Sequence, residues 1–318
     1  MLLRTWRELR RRGVMGINVR NADYVLRYNR RACYPMVDDK LTTKERGGEE
    51  GIRVPELYAV VDSERGIPGA LETLGWRQDC VIKPARGAGG DGILVLTDRF
   101  EGLYRTATGR LLDDEDLWFH FSGILSGMYS LGGQRDRAIV EYRVRPDEVF
   151  RAISYGGVPD IRVIVLQGYP VMAMLRLPTR ESGGKANLHQ GALGVGVDLA
   201  TGVTLGGTWH NRTIGRHPDT MNPVDGVTLP QWNEFLLLSA RCYELTDLGY
   251  LGVDLVLDRD HGPMMLELNA RPGLNIQIAN DAGLRDRCAL VEARLAEGER
   301  EESPEERVAF CQRAFSST

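Results

Sequence analysis

The sequence from Leu251 to Ala270, LGVDLVLDRDHGPMMLELNA, alternates aliphatic and polar residues on both sides of a turn at Asp260–His261. That period of two predicts a β-hairpin. If its strands pair symmetrically about the turn, Asp254 falls opposite Glu267, and Asn269 shares the face of Glu267. Leu255, Leu257, Leu266 and Leu268 then face the other way. Two carboxylates and an amide oxygen, with no histidine or cysteine among them, form a hard donor set suited to Mg2+ or Mn2+. An ordinary solvent-exposed hairpin explains the pair poorly, because like charges facing each other across two strands are destabilising.

Working outward, the second half of the chain is β-rich. DIRVIVLQGYPVMAMLRL (160–177) predicts two strands joined around Gly168 and Tyr169, and GALGVGVDLATGVTLGGTW (191–209) a second hairpin turning at Ala200–Gly202. A helix is expected over 231–249, with Phe235, Leu238, Cys242 and Leu245 on one face. Another is expected in the tail, where Ser303, Pro304 and Glu306 fit a capping box. In the first half, residues 16–46 read as helix with short breaks. Strands are expected at 54–61, 80–85, 92–98 and 138–144, and helices at 68–75 and 113–130. Strands and helices do not alternate regularly, so the pattern predicts an α+β protein in lobes rather than a doubly wound sheet.

Lysine and arginine together number 40, yet the lysines are only Lys40, Lys44, Lys83 and Lys185. An ammonium is a compact point charge, and a guanidinium is a planar fork. Lysines kept in such an arginine-rich chain are therefore candidates for a task the fork cannot do, although codon bias would also leave a few. Lys83 precedes the glycine-rich turn RGAGGDG (86–92), where Gly87, Gly89 and Gly90 allow the backbone to approach phosphate oxygens. No GK[ST] occurs, so this is not a Walker A loop, and alone it is no more than a tight turn. Asp160 and Arg162 lie two apart on one strand. Lys185, Asn187 and His189 would alternate likewise if their segment is extended.

The net charge of −4 argues against nucleic-acid binding by bulk electrostatics. Five scattered cysteines without a CxxC predict reduced thiols in a cytoplasmic protein. No apolar run reaches the ~20 residues of a membrane span. The arginine-rich start is read as a solvated helix face, with a membrane surface or a partner as the alternative.

Taken together, Lys40, Lys83 with its glycine loop, Glu141, Asp160-Ile-Arg162, Lys185-Ala-Asn187-Leu-His189, Asp254 and the run Glu267-Leu-Asn269-Ala-Arg-Pro-Gly resemble the ATP-grasp fold. The nearest likeness is to the RimK-like alpha-L-glutamate ligases and to a ligase-like branch opening with NADYVLRYN and YPMVDDK. The resemblance covers roughly residues 16–280. It implies two α+β lobes clasping ATP, with Lys40, Lys83, Gly87, Ala88, Gly89 and Gly90 at the phosphates. Glu141, Tyr142 and Leu266 would lie near the nucleotide base, and Asp160 on the ribose side. Lys185 and Asn187 would reach the triphosphate, and Asp254, Glu267 and Asn269 would hold two Mg2+ ions, or Mn2+. Arg162, with Lys185, Asn187 and Arg271, would stabilise the reacting groups.

The implied organisation is a helical extension (1–39), a first subdomain with the phosphate loop (40–145), a second with the metal site (146–283) and a helical tail (284–318). The usual N-terminal α/β domain is expected to be missing, and a segment at 210–226 is extra. The implied reaction is ATP-dependent carboxylate–amine ligation through an acyl-phosphate, on small-molecule or peptide substrates and without nucleic acid. The alternatives are a kinase, a ligase acting on a sugar-linked amine, or an ATP-binding regulatory module without turnover. Relatives of the branch are often encoded beside a membrane-embedded protein, which makes a membrane-protein partner compatible with the arginine-rich start. His189 is read as a supporting residue, while His210, Arg212, Arg216 and His217 are candidates for binding a substrate carboxylate. The carboxylate, the amine and the oligomeric state stay open at this level.

Overall fold

The computed structural model describes residues 2–87, 89–298 and 301–316. The chain divides into two compact units, Asp38–Glu45 with Val54–Val144, and Met1–Val37 with Arg46–Arg53 and Arg145–Thr318. Among the described residues no helix is long and apolar enough to cross a membrane. All five cysteines are free thiols, four of them buried.

The smaller unit holds β1 (Leu57–Val61), β2 (Cys80–Pro84), β3 (Leu94–Phe100), β4 (Leu103–Thr106), β5 (Leu111–Leu112) and β6 (Ala138–Glu141). They form an antiparallel sheet in the order β1-β6-β2-β3-β4-β5. Alternation gives the sheet two different faces. On one face Cys80, Ile82, Leu96, Ala138 and Val140 pack with Ile67, Ala70, Leu74, Leu117, Phe121 and Ile124, from helices Ile67–Gly75 and Asp114–Leu125. Asp113 starts the second helix with a capping box to Asp116. That helix ends at Leu125, short of the expected Ser130. On the other face Lys83 pairs in register with Ile139, and Val81 with Glu141. Ile139 and Ala85 pack there against Leu41. Beyond Glu141 the Tyr142 N–H carries the β1 register one residue further, donating to the Glu56 carbonyl at 2.8 Å.

The larger unit holds β7 (Asp160–Leu166), β8 (Tyr169–Leu177), β9 (Leu193–Val197), β10 (Thr204–Trp209), β11 (Arg212–Ile214), β12 (Tyr250–Asp258) and β13 (Gly262–Asn269). Their order is β11-β10-β9-β8-β7-β12-β13, antiparallel throughout. Every residue of β8 and β12 is buried, as central strands covered on both faces require. Helix Trp232–Thr246 lays Phe235, Leu238, Cys242 and Leu245 into this core. The tail adds helices Arg285–Ala296 and Pro304–Ala314, the second capped by Ser303 with Glu306 as expected.

The β12–β13 register differs in detail from a symmetric hairpin. The turn is the three residues Arg259–His261, set by the Asp258 carboxylate accepting the N–H groups of Asp260 and His261, both at 2.9 Å. Leu255 therefore meets Met265, and Leu266 is an extra, bulged residue rather than one of the inward leucines. The bulge restores the register, so Asp254 does face Glu267.

The stretch NADYVLRYN is helical from Ile17 to Tyr28, with a π-helical turn over Arg20–Val25. It ends on the buried Asn29, whose amide donates to the carbonyls of Tyr250 (2.7 Å) and Ala270 (2.9 Å) and whose oxygen accepts the Tyr250 N–H (2.8 Å). One side chain thus ties the start of β12 to the residue after β13. Asn29→Ala orphans three buried backbone groups and is expected to destabilise this unit by roughly 3 kcal/mol. Urea unfolding measures this, and a loss below about 1 kcal/mol would show that the clamp is dispensable.

Candidate functional site

In the larger unit, register places six polar side chains in a row on one sheet face. Asp160 on β7 faces Arg176 on β8, Arg162 faces Asp254 on β12, and Asp254 faces Glu267 on β13. Arg162 grips Asp254 with both forks, Nε to Oδ1 at 2.6 Å and Nη2 to Oδ2 at 2.5 Å. Arg176 bridges two carboxylates: its Nε and Nη2 bind Asp160, and Nη2 also lies 2.8 Å from Asp254 Oδ2. Asn269 completes the row, donating its amide to the same oxygen at 3.3 Å. Glu267 and Asn269 are half-buried, and Asp160 and Asp254 are buried.

Burial alone would raise both aspartates. At Asp254 the charges of Arg162 and Arg176 outweigh it and hold the carboxyl below the usual range. At Asp160 burial prevails over Arg176, and the negative charge of Asp254 pushes the same way, so its carboxyl rises. Asp254 is the firmly ionised member of the pair. The oxygen donors of Asp254, Glu267 and Asn269 are of the kind that suits a hard divalent cation, and register sets them on one face, with the Asp254 oxygens held by Arg162, Arg176 and the Asn269 amide. Arg162 is the neighbour that would have to yield an Asp254 oxygen to it. Both oxygens of Asp160 accept from Arg176, which makes it the anchor of that arginine.

Other residues of this unit fall elsewhere. Leu266 is the half-buried bulge residue beside Glu267. Arg271 is exposed, its guanidinium 5.1 Å from the centre of the Tyr34 ring. The segment carrying Lys185, Asn187 and His189 is not an extended strand. Asn187 caps a short 3-10 turn, Leu188–Gln190, its oxygen accepting the His189 N–H at 3.0 Å, so the expected alternation is lost. His217 is fully buried: one ring nitrogen meets the Pro178 carbonyl at 2.9 Å and the other accepts the Asp219 and Thr220 N–H groups. Such a residue braces its loop and has no edge left for a substrate carboxylate. His210 lies 3.0 Å from Glu181 on the surface, and Arg216 donates to the Met221 carbonyl. Arg212 is exposed.

The smaller unit gathers three of the four lysines. Glu141 is buried between Lys83, 2.6 Å from Oε1, and Lys44, 2.9 Å from Oε2; the second contact is an ion pair without hydrogen-bond alignment. Lys40, one helical turn before Lys44, donates to the Gly87 carbonyl at 2.6 Å. The glycine loop is itself anchored. Asp136 accepts the Arg86 N–H and the Ser130 hydroxyl, while Asp39 binds the side chains of Arg86 and Arg137. Gly89, Gly90 and Gly92 take positive φ, and a Cβ on Gly87 would overlap Pro84. Ala88 lies outside the described residues. Glu141 is thus the counter-ion of two lysines, and the Tyr142 N–H is engaged by Glu56.

Arg176 was not among the candidates, and Lys44 was one only as a rare lysine, with no site role given to it. Arg176 was readable from the 160–177 hairpin, because pairing about Gly168 sets it opposite Asp160. Lys44 was marked only by its rarity and its spacing of four from Lys40. Burial lowers its ammonium from 10.5 to about 8, against the pull of Glu141 and aided by the charge of Lys83. Below pH 8 the folded and unfolded chains both hold this proton, and the penalty is fully present. Between about 8 and 10.5 the unfolded chain binds more protons, so stability rises with pH. Wild type is therefore expected to gain stability relative to Lys44→Met between about pH 7.5 and pH 9.5 in denaturant unfolding, and a constant difference would show that Lys44 titrates normally.

The family model for sugar-transfer associated ATP-grasp proteins matches residues 19–293. No curated protein matches the sequence. Among solved structures, the ATP-grasp ligase PsnB bound to a minimal precursor is similar at 15% identity and a TM-score of 0.46, over 85% of this chain. This chain spans 64% of the PsnB chain. D-cycloserine synthetase DcsG is similar at 17% identity and a TM-score of 0.46, with 82% of this chain and 71% of that one covered. A RimK domain protein from Sphaerobacter thermophilus stands at 16% and 0.45, with 82% and 70% covered. With its family match running from the NADYVLRYN helix through the metal-type hairpin, the chain belongs to the sugar-transfer associated ATP-grasp family, and its fold is α+β ATP-grasp.

Proposed function

We propose that the protein is an ATP-dependent carboxylate–amine ligase. The observation that carries this reading is the row Arg176, Asp160, Arg162, Asp254, Glu267 and Asn269, where two guanidiniums and a hard-cation donor set share one sheet face. Phosphoryl transfer needs such a set: charge neutralisation at fixed points, with no covalent protein nucleophile. Asp254, Glu267 and Asn269 would hold magnesium, which when bound offsets negative charge on nucleotide phosphates.

In the proposed reaction a substrate carboxylate oxygen bonds to the γ-phosphorus of ATP as the bond to the ADP oxygen breaks. An amine nitrogen then bonds to the acyl carbon, phosphate leaves with the C–O electrons, and the nitrogen loses its proton. Arg162 is suited to meet the oxygens of the transferring group, because it lies beside the donor set and releases one carboxylate to reach them. Arg176 keeps Asp160 and Asp254 in register while Arg162 moves. Lys40 and Lys83, with the amides of Gly87, Gly89 and Gly90, are assigned to the phosphates, and Glu141 to holding the lysines. Lys185, Asn187 and Arg271 are assigned to the substrate side. The family's association with sugar transfer supports including amino sugars among the acceptors.

The test is an ADP-release screen over amino acids, short peptides and amino sugars, with hydroxylamine added to trap an activated acyl group. Hydroxamate formation is the expected result, and ADP release that depends only on a hydroxyl acceptor would favour a kinase instead. Glu267→Ala should abolish turnover with the fold intact by circular dichroism, and normal turnover in that variant would remove the metal assignment. Lys83→Arg should weaken nucleotide binding although the charge is kept, since a planar fork does not present the compact point charge of the ammonium that pairs with Glu141. Unchanged affinity in a nucleotide titration would discredit that role.

A further inference from the structure

Resting on the ATP reading above, we propose that Lys44 is a positioning residue for the nucleotide phosphates: it neutralises Glu141, and so leaves the charge of Lys83 for an incoming anion. Glu141 brings one negative charge to two ammoniums, at 2.6 and 2.9 Å. Lys44 and Lys83 together carry more positive charge than Glu141 can balance, and a buried surplus of that sign is costly unless an anion completes it.

The two lysines are not equivalent. The Lys44 side chain is 1% exposed, follows Lys40 by one helical turn, and meets no other carboxylate among the described residues. Lys83 is on β2, the strand that runs into the glycine loop, four residues before Gly87. Lys83 is therefore placed to leave Glu141 for a phosphate, and Lys44 is placed to stay. With Lys44 present, Lys83 can leave without stranding a buried carboxylate. Without Lys44, Glu141 has Lys83 as its one remaining ion-pair partner among the described residues, and a phosphate would have to strip that bond before it could bind.

The experiment is calorimetric titration of the full chain with Mg2+ and the non-hydrolysable analogue AMPPNP. Wild-type binding comes first, since its absence would remove the ATP reading rather than this proposal. Lys44→Met is expected to raise Kd by on the order of tenfold or more, the scale of one charged hydrogen bond. The double variant Lys44→Met/Glu141→Gln is expected to return to within a few-fold of wild type, because Lys83 then faces a neutral amide. A merely structural role for Lys44 would leave the double variant as weak as the single one, and that result overturns the proposal. Wild-type affinity in Lys44→Met overturns it too. Should Lys44→Met not fold, the double variant decides alone: affinity within a few-fold of wild type upholds the assignment, and failure to bind AMPPNP ends it.

Discussion

A carboxylate taken out of water has to be met by cations or by hydrogen-bond donors, and three of the buried carboxylates, met by cations, shape what each sheet of this protein can hold. Asp160 and Asp254 in one unit and Glu141 in the other are each faced by two positive side chains or share one. Breaking such a pair by removing one partner typically costs about 3–5 kcal/mol, whereas the intact pair contributes little net stability. Stability is thus a weak reason for their presence. Asp254 and Glu141 each meet two cations, whereas Asp160 shares Arg176 with Asp254.

That arrangement depends on register. A one-residue slip in β12 would turn Asp254 to the opposite face and bury it against Val253 and Leu255 neighbours with no guanidinium to meet it. The correct pairing with Glu267 was legible from the period of two in residues 251–270, but the route to it was not. The turn is three residues long because Asp258 catches two N–H groups, and the offset this creates is cancelled by the bulge at Leu266. Alternation fixes which face a residue takes. Turn length and bulges are decided by individual hydrogen bonds that the pattern does not carry.

The same division runs through the rest of the molecule. The hairpins at 160–177 and 191–209, the helix over 232–246 and the Ser303 cap were readable because each is a local signal. The condition placed on the segment at 185–190, that it be extended, is not met, because Asn187 spends its side chain locally, on the His189 N–H, and winds the chain into a 3-10 turn. His217 looked like a ligand, and packing turned it into a brace. Its burial comes from the Pro178 carbonyl, 39 residues away in sequence. Lys44 was similarly opaque: position i+4 from Lys40 was visible, but that this face of the helix covers Glu141 is a tertiary fact.

The split between arginine and lysine follows from shape. On the larger sheet, strands spaced by their hydrogen bonds set carboxylates side by side, and a planar fork spans two of them, as Arg176 does with Asp160 and Asp254. On the smaller sheet, one carboxylate is approached from a strand and from a helix at once, at 2.6 and 2.9 Å. Two ammoniums on long stems reach its two oxygens separately, Lys83 at Oε1 and Lys44 at Oε2. Three of the four lysines of this arginine-rich chain gather here, each meeting an oxygen acceptor as a point charge, with Lys40 on the Gly87 carbonyl.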